Sequence, residues 1–310
     1  MAVTVVPGAC PLCGPGFPRV DAAHGPDFHH PAAGAQEFRL ARCTGCGILV
    51  LDPRPADDEI AGLYPPDYIS YSFEQLNPIM RWGRDTVQRG KTSLVGRLVP
   101  AGGTVVDVGC GDGALLRLLR RRYGSRFRLV GWDYPGRHLD GLAGAGIDVV
   151  AAAIEAVHAP RGVDMFILNQ VIEHVPYPDR LLRMLADALA PGGYIAIETP
   201  DTDSVDARLF AGRYWGGYHF PRHMVLFDQT NLRTLVERCG LHVVQSAHLA
   251  SPAFWVQSLH HAASESRLAS LSRFCTLDNV PLVSWFSVLD LLASPFIGTS
   301  NQRLVVRRPL

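Results

Sequence analysis

The sequence carries no surplus of charge: its 29 Lys and Arg residues equal its 29 Asp and Glu residues. That balance removes the attraction that nucleic acids and anionic membrane surfaces usually need, and it favours a neutral or small partner over nucleic acid. No run of eighteen or more apolar residues occurs, so no transmembrane segment is expected. The opening MAVTVVPGACPLCG lacks a basic region followed by a long apolar stretch, which makes a cytoplasmic setting the expectation. Internal repeats and low-complexity tracts are missing too. The seven cysteines are an odd number in a chain of 310 residues, too large to depend on disulfides for its core. With 47% apolar residues, that length supports one large domain with an appendage, or two domains.

Four of the cysteines form two CxxC pairs, Cys10-Pro11-Leu12-Cys13 and Cys43-Thr44-Gly45-Cys46, each followed at once by a glycine, Gly14 and Gly47. Two such knuckles are how a chain surrounds one tetrahedral zinc ion with four sulfurs. With all four positions filled by thiolate, a structural zinc rather than a catalytic one is expected. His24, His29 and His30 read as solvated loop residues between the knuckles, and Cys110, Cys239 and Cys275 as packed thiols. Residues 1–56, rich in Pro and Gly, are expected to form a small zinc-ribbon-like module.

Residues 57–100 read as a helical connection. The acids of DDEIAGLY open a short helix, and Asn77-Pro78 cap and start a longer one that Pro100 and Gly102-Gly103 stop near Val99. From Thr104 the chain alternates. TVVDV, FRLVGW, IDVV, DMFILN and YIAIET are apolar and β-rich, with helix-like segments beginning near Gly113, Pro135 and Pro178 between them. This predicts a doubly wound α/β domain with a mostly parallel sheet, at residues 101–310. An insertion rich in aromatics and histidine, RYWGGYHFPRHMVLFD, interrupts the pattern at 200–227. A helix over 228–239, a Gly240 cap and the strand LHVVQSA follow. Residues 280–297 are apolar nearly all round, which suits a buried helix or a contact between two copies of the chain.

The stretch TVVDVGCGDGAL places an acid and three glycines directly after a buried strand. In an open parallel sheet, ligands collect outside the carboxyl ends of the strands, and glycines there let backbone approach them closely. The spacing departs from the dinucleotide fingerprint, because glycines fall at every second position and Asp107 precedes the first. An acid suits a cationic amino group better than a pyrophosphate.

This segment resembles motif I of the class I S-adenosylmethionine-dependent methyltransferases. Gly131-Trp132-Asp133, Ala153-Ile154-Glu155, FILNQVIEHVPYP and LADALAPGGYIAIETP follow in the order found in that family. The resemblance implies a seven-stranded sheet and S-adenosylmethionine as cofactor. It assigns Gly109, Gly111 and Gly113 to close backbone approach, Asp107 to the methionine amino group and Asp133 to the ribose. Glu155 or a backbone group would meet the adenine, and Asn169 and Gln170 would lie against the cofactor.

Methyl transfer needs an in-line geometry and, for a protonated acceptor, a base; histidine titrates in the right range. His174 follows the fourth strand of the domain, and His219 and His223 flank Pro221-Arg222 in the insertion, amid aromatic residues that suit a substrate wall. The layout is similar to that of deoxysugar C-methyltransferases, which also carry an N-terminal zinc module. On that resemblance His174 and His223 are the paired histidines, and Tyr68 and Tyr71 of YPPDYISYS belong to the active site. Tyr218 is assigned to the acceptor wall, and Arg222, which replaces an acid of those enzymes, to an acceptor carboxylate or phosphate. The expectation is methylation of a small molecule, a sugar or natural-product intermediate. Two other readings stay open: an O-methyltransferase of a phenolic or polyketide acceptor, and a zinc-containing binding protein with a non-catalytic nucleotide domain.

Overall fold

The computed structural model describes residues 3–28, 36–64, 78–154, 159–267, 269–294 and 296–310. Seven strands form the central sheet: β4 Gly103–Val108, β5 Phe127–Asp133, β6 Asp148–Ala151, β7 Val163–Asn169, β8 Leu189–Pro200, β10 His242–Leu249 and β11 Asn301–Arg307. Their spatial order is β6-β5-β4-β7-β8-β11-β10. The first five are parallel, and β11 runs antiparallel to both β8 and β10. The sheet is as the sequence predicts. Its inner strands are apolar on both sides because helices cover both faces: Val105, Val106, Phe166, Leu168, Ile195 and Ile197 are all fully buried.

The chain winds outward from β4 through β5 to β6, then returns to place β7 on the other side of β4. The strand order therefore reverses between β4 and β7, and the crevice for a ligand opens at their carboxyl ends.

Helix α1 (Pro78–Leu98) precedes β4, and α2 (Ala114–Tyr123) follows it. The latter turns Leu115, Leu116 and Leu119 into the core, and Arg120, Arg121 and Arg122 in its last turn complement the negative end of its dipole. Between β5 and β6 the expected α-helix is absent. Two 3₁₀ turns, Arg137–Leu139 and Ala143–Ala145, take its place. Gly136, Gly141, Gly144 and Gly146 lie within this stretch, and each glycine costs a helix interior about 1 kcal/mol relative to alanine. Helix α3 (Pro178–Ala188) starts on its proline, and α4 (Gln229–Arg238) starts on a full capping box between Asp228 and Asn231.

The N-terminal residues form an antiparallel sheet of β1 Arg19–Gly25, β2 Phe38–Cys43 and β3 Leu49–Leu51. Its fourth strand is β9, Val225–Leu226, from the insertion after β8. The two regions consequently share one core, in which Leu40, Cys43 and Ile48 are buried together with Phe227 and Leu232. His24 is exposed on β1 rather than in a loop.

Near the end of the chain, α5 (Val280–Ala293) is buried on one side only, so the expectation of a fully buried helix fails. Asp290 is buried and accepts hydrogen bonds from the Ser251 backbone (2.8 Å) and from Trp255 Nε1 (2.9 Å). The opposite side leaves Trp285 and Leu292 exposed, and Phe296 beyond it is 85% exposed.

Candidate active site

A cleft of about 750 Å³ lies where the sheet order reverses, with Asp107, Gly109, Gly111, Asp133, Asn169 and Gln170 at one end and His174, His219 and His223 at the other. At the first end, β4 stops at Val108 and the chain turns through Gly109 (φ +66°), Gly111 (φ +54°) and Gly113 (φ +71°). These are left-handed conformations that only glycine adopts without strain. At Gly109 a Cβ would also come 2.6 Å from Val171 Cγ2, and at Gly113 2.4 Å from Leu142 Cδ2. The turn is pinned to the neighbouring strand by the Gly109 and Cys110 N–H groups, which donate to the Trp132 carbonyl.

Asp133 ends β5 and is buried. Its Oδ2 accepts the Gly111 N–H at 2.7 Å and its Oδ1 accepts the Tyr134 N–H at 2.7 Å. The carboxylate is thereby held in one orientation, with lone pairs left for a diol.

Asp107 is almost wholly buried, and its Oδ1 has no hydrogen-bond partner among the described residues. Burial pushes it up to about 7, the nearby Asp133 carboxylate adds to that rise, and the Lys91 ammonium opposes it. A buried carboxyl without a partner is costly unless a cation reaches it. These features fit the donor ammonium and ribose of S-adenosylmethionine: an orphaned acid, a close-approach turn and an oriented second acid.

Lys91 was not anticipated. From α1 it donates to Asn169 Oδ1 (2.9 Å) and pairs with Glu198 Oε2 (2.6 Å), while Arg303 Nη1 lies 3.6 Å from Glu198 Oε1. One signal marks it: Lys91 is the only lysine in the chain. Gln170 reaches Asn301 Oδ1 at 3.1 Å with its backbone at φ +53°. A hydrogen-bonded floor thus joins α1, β7, β8 and β11 beneath the cofactor end of the cleft.

At the other end the His174 and His223 rings meet edge to face with centroids 4.5 Å apart, and His219 lies 4.9 Å from His223. His223 is buried, and its Nδ1 donates to the Gly217 carbonyl at 2.7 Å, since a carbonyl only accepts. His174 Nδ1 is 2.9 Å from the Tyr64 hydroxyl. Burial holds His174 well below its ordinary value, with the His223 and Arg222 charges acting in the same direction and a backbone hydrogen bond at Arg222 opposing. Glu173, entirely buried, accepts the Thr199 hydroxyl on Oε2 (2.9 Å), and burial pushes it up to about 8.

Two expected acceptor residues sit elsewhere. Arg222 is 2% exposed; it forms a two-pronged pair with Asp27 (3.1 and 3.0 Å) and donates through Nε to the Leu63 carbonyl at 2.9 Å. Its guanidinium locks the insertion to the N-terminal region and does not face the cleft. Tyr218 is buried and its hydroxyl accepts the Gly212 N–H. Trp215, Phe220 and Phe227 are likewise core, so the aromatic residues of the insertion position its histidines rather than form the wall. Tyr68, Tyr71, Glu155, His29 and His30 lie outside the described residues. Among the described residues, Tyr64 reaches His174.

Away from the cleft, one sulfur from each of Cys10, Cys13, Cys43 and Cys46 lies within 4.8 Å of the others, and Cys10 Sγ and Cys46 Sγ are 3.4 Å apart. Tetrahedral zinc with bonds of about 2.3 Å places its sulfurs roughly 3.8 Å apart. The four thiols fit a zinc ion, and no two of them are joined as a disulfide.

The reversal in strand order, the glycine turn and the paired acids define a class I S-adenosylmethionine-dependent methyltransferase fold. The methyltransferase domain family model matches residues 81–246, just over half of the chain, and the chain belongs to that family. Trans-aconitate 2-methyltransferase of Sinorhizobium fredii is 27% identical over 163 residues, 52% of this chain and 57% of the relative. Its counterpart in Methylobacterium nodulans is 35% identical over 125 residues, 38% and 46%. Ubiquinone biosynthesis O-methyltransferase of Cupriavidus pinatubonensis is 30% identical over 105 residues, 32% and 42%. The chain spans about half the length of the curated relatives it matches. Among solved structures, Burkholderia thailandensis 1,6-didemethyltoxoflavin-N1-methyltransferase, with bound 1,6-didemethyltoxoflavin and S-adenosylhomocysteine, has the same fold. Its TM-score is 0.51 at 16% identity, covering 89% of this chain and 97% of that one. No helix among the described residues is long and apolar enough to cross a membrane.

Proposed function

We propose that the protein transfers a methyl group from S-adenosylmethionine to a small-molecule acceptor, a sugar or natural-product intermediate, bound beside the histidine cluster. The observation that carries this reading is a single cleft with an unpartnered buried acid and a glycine turn at one end and three histidines at the other. When bound, the cofactor supplies a methyl group on a positively charged sulfur, which leaves with the electron pair of the broken carbon–sulfur bond as a neutral thioether.

The residues of the chain do the rest. Asp107 takes the donor ammonium, Asp133 the ribose hydroxyls, and the Gly109–Gly113 turn lets both come close. Asn169 and Gln170, braced by Lys91 and Asn301, support the donor from below. The His174, His219 and His223 cluster receives the proton the acceptor loses as its new bond to carbon forms, and Tyr64 orients His174. Cys10, Cys13, Cys43 and Cys46 hold a zinc ion that stabilises the sheet to which β9 contributes.

The relatives named above support a small acceptor. An activity screen across nucleotide sugars, small carboxylic acids and phenols, read by a mass gain of one methylene, identifies it. Acceptor specificity for phenols would favour the phenolic alternative. His174→Ala and His223→Ala are each expected to lower turnover by about 10²–10⁴ while S-adenosylhomocysteine binding is retained. Full turnover in both would remove the cluster from the reaction.

A further inference from the structure

Arg303 of β11 lines the cleft and is left with little to hold. Its Nε is buried and has no hydrogen-bond partner among the described residues. Its ion pair with Glu198 Oε1, at 3.6 Å, is too long for a hydrogen bond. Glu198 is already committed, because Lys91 Nζ sits 2.6 Å from its other oxygen. Two cations thus share one carboxylate, and the group keeps a net positive charge inside the protein. A guanidinium that is only 18% exposed and makes no hydrogen bond is costly to hold there, unless an anion meets it.

We propose that Arg303 binds a carboxylate or phosphate group of the methyl acceptor. This rests on the methyltransferase reading and names the acceptor class as an oxyanion. The fork of the guanidinium suits both groups, since each offers two oxygens to parallel N–H donors.

The sheet register separates this cation from the donor. Asn169 pairs with Glu198 and Glu198 with Arg303, so all three stand on one face, the face on which Lys91 of α1 reaches them. Between β4 and β11 lie β7 and β8, and three strand spacings amount to about 14 Å. The donor carboxylate is bound to the same carbon as the ammonium that Asp107 takes at β4, so Arg303 is placed for a different anion. Charge along the cleft is divided in the same way. Asp107, Asp112 and Asp133 lie at the β4 and β5 tips, where a cationic donor fits, and among the acids that line the cleft only Glu198 is beside Arg303.

The walls near Arg303 are those of an acceptor pocket. Leu249 ends β10, the strand next to β11, and Phe254 and Gln257 come from the helix Pro252–Ser264 that follows; Leu291 of α5 completes this side. One fixed cation among largely apolar neighbours anchors an anionic group and leaves the rest of the acceptor to be placed by shape. An anchor remote from the reacting atom spends its binding energy on orientation.

The test keeps the donor site filled. Crystals of the full, unmodified chain with bound S-adenosylhomocysteine are soaked in sodium selenate, an oxyanion with an anomalous signal. A peak against the Arg303 guanidinium, beside S-adenosylhomocysteine, is expected. Selenate absent from Arg303, or the carboxylate of S-adenosylhomocysteine seated on it, overturns the proposal, and the soak decides even if a variant fails to fold. In solution, the chain saturated with S-adenosylhomocysteine is titrated with malonate and with inorganic pyrophosphate; the tighter of the two tells a carboxylate acceptor from a phosphate one. Binding is expected to weaken at least about tenfold in Arg303→Gln and to recover only in part in Arg303→Lys, while S-adenosylhomocysteine affinity stays unchanged. Equal anion binding by wild type and Arg303→Gln overturns the assignment. Absence of S-adenosylhomocysteine binding to the wild type overturns the methyltransferase reading instead.

Discussion

Lys91 Nζ lies 2.6 Å from Glu198 Oε2, joining the helix before the sheet to the tip of its fifth strand. The same ammonium lowers the pKa of Asp107 and so opposes the burial that raises it. Lys91 is therefore an electrostatic counterweight for the donor site as well as a brace. Lys91→Met is expected to move the protonation midpoint of Asp107 further upward and to weaken S-adenosylhomocysteine binding at pH 7. Calorimetric titration at several pH values checks both; an unchanged pH profile would separate Lys91 from Asp107.

The pH dependence of donor binding follows from Asp107 itself. Its folded-state pKa is about 7 against an ordinary 3.8, so between these values the folded protein holds a proton that the unfolded chain has lost. Stability from this group is complete below pH 3.8 and is lost as pH rises through 7. A cationic ammonium prefers the ionised form, so binding releases that proton. Affinity for S-adenosylhomocysteine should rise between pH 5.5 and 7, by up to about tenfold per pH unit at the acidic end. Asp107→Asn should bind weakly and flatten the profile. A flat wild-type profile would show that Asp107 does not meet the ammonium.

Arg222 yields a stability prediction rather than a catalytic one. Its guanidinium satisfies Asp27, the Leu63 carbonyl and the Phe220 carbonyl from a buried position. Arg222→Ala should destabilise the fold by about 3–5 kcal/mol, because breaking a buried pair strands its partner. The melting temperature should fall by roughly 4–8 °C, and Arg222→Lys should recover less than half of the loss because an ammonium lacks the fork. Unchanged melting in Arg222→Ala would contradict the role.

Metal analysis of the purified protein should find zinc at the four cysteines. Cys13→Ser should lower its zinc content and expose the β1–β3 sheet to proteolysis. Because β9 completes that sheet, His219 and His223 should lose order at the same time, and turnover should fall although the substitution does not touch the cleft. A Cys13→Ser chain with full turnover would uncouple the two regions.

The sheet and the donor turn were legible in the sequence because both depend on local pattern. Apolar β-rich runs such as DMFILN declare buried parallel strands, and an acid followed by alternating glycines declares a turn that no other residue type fits. The missing helix after β5 was legible in principle, since four glycines crowd the segment, but strand–helix alternation suggested otherwise. The rest depends on long-range contact. Tyr64 meets His174 across 110 positions and Arg222 meets Asp27 across 195, and no spacing rule encodes either distance. Arg222 looked like an acceptor ligand because a charged residue beside two histidines suggests a cleft; its burial among partners from two other segments removes it from one.

The central claim is that Asp107, the glycine turn and Asp133 cradle an S-adenosyl donor. Isothermal titration with S-adenosylhomocysteine tests it most directly. The wild type should bind one equivalent per chain, and Asp133→Ala should lose at least about tenfold in affinity without a change in melting temperature beyond a few degrees. No heat of binding in the wild type, or full affinity in Asp133→Ala, would contradict it.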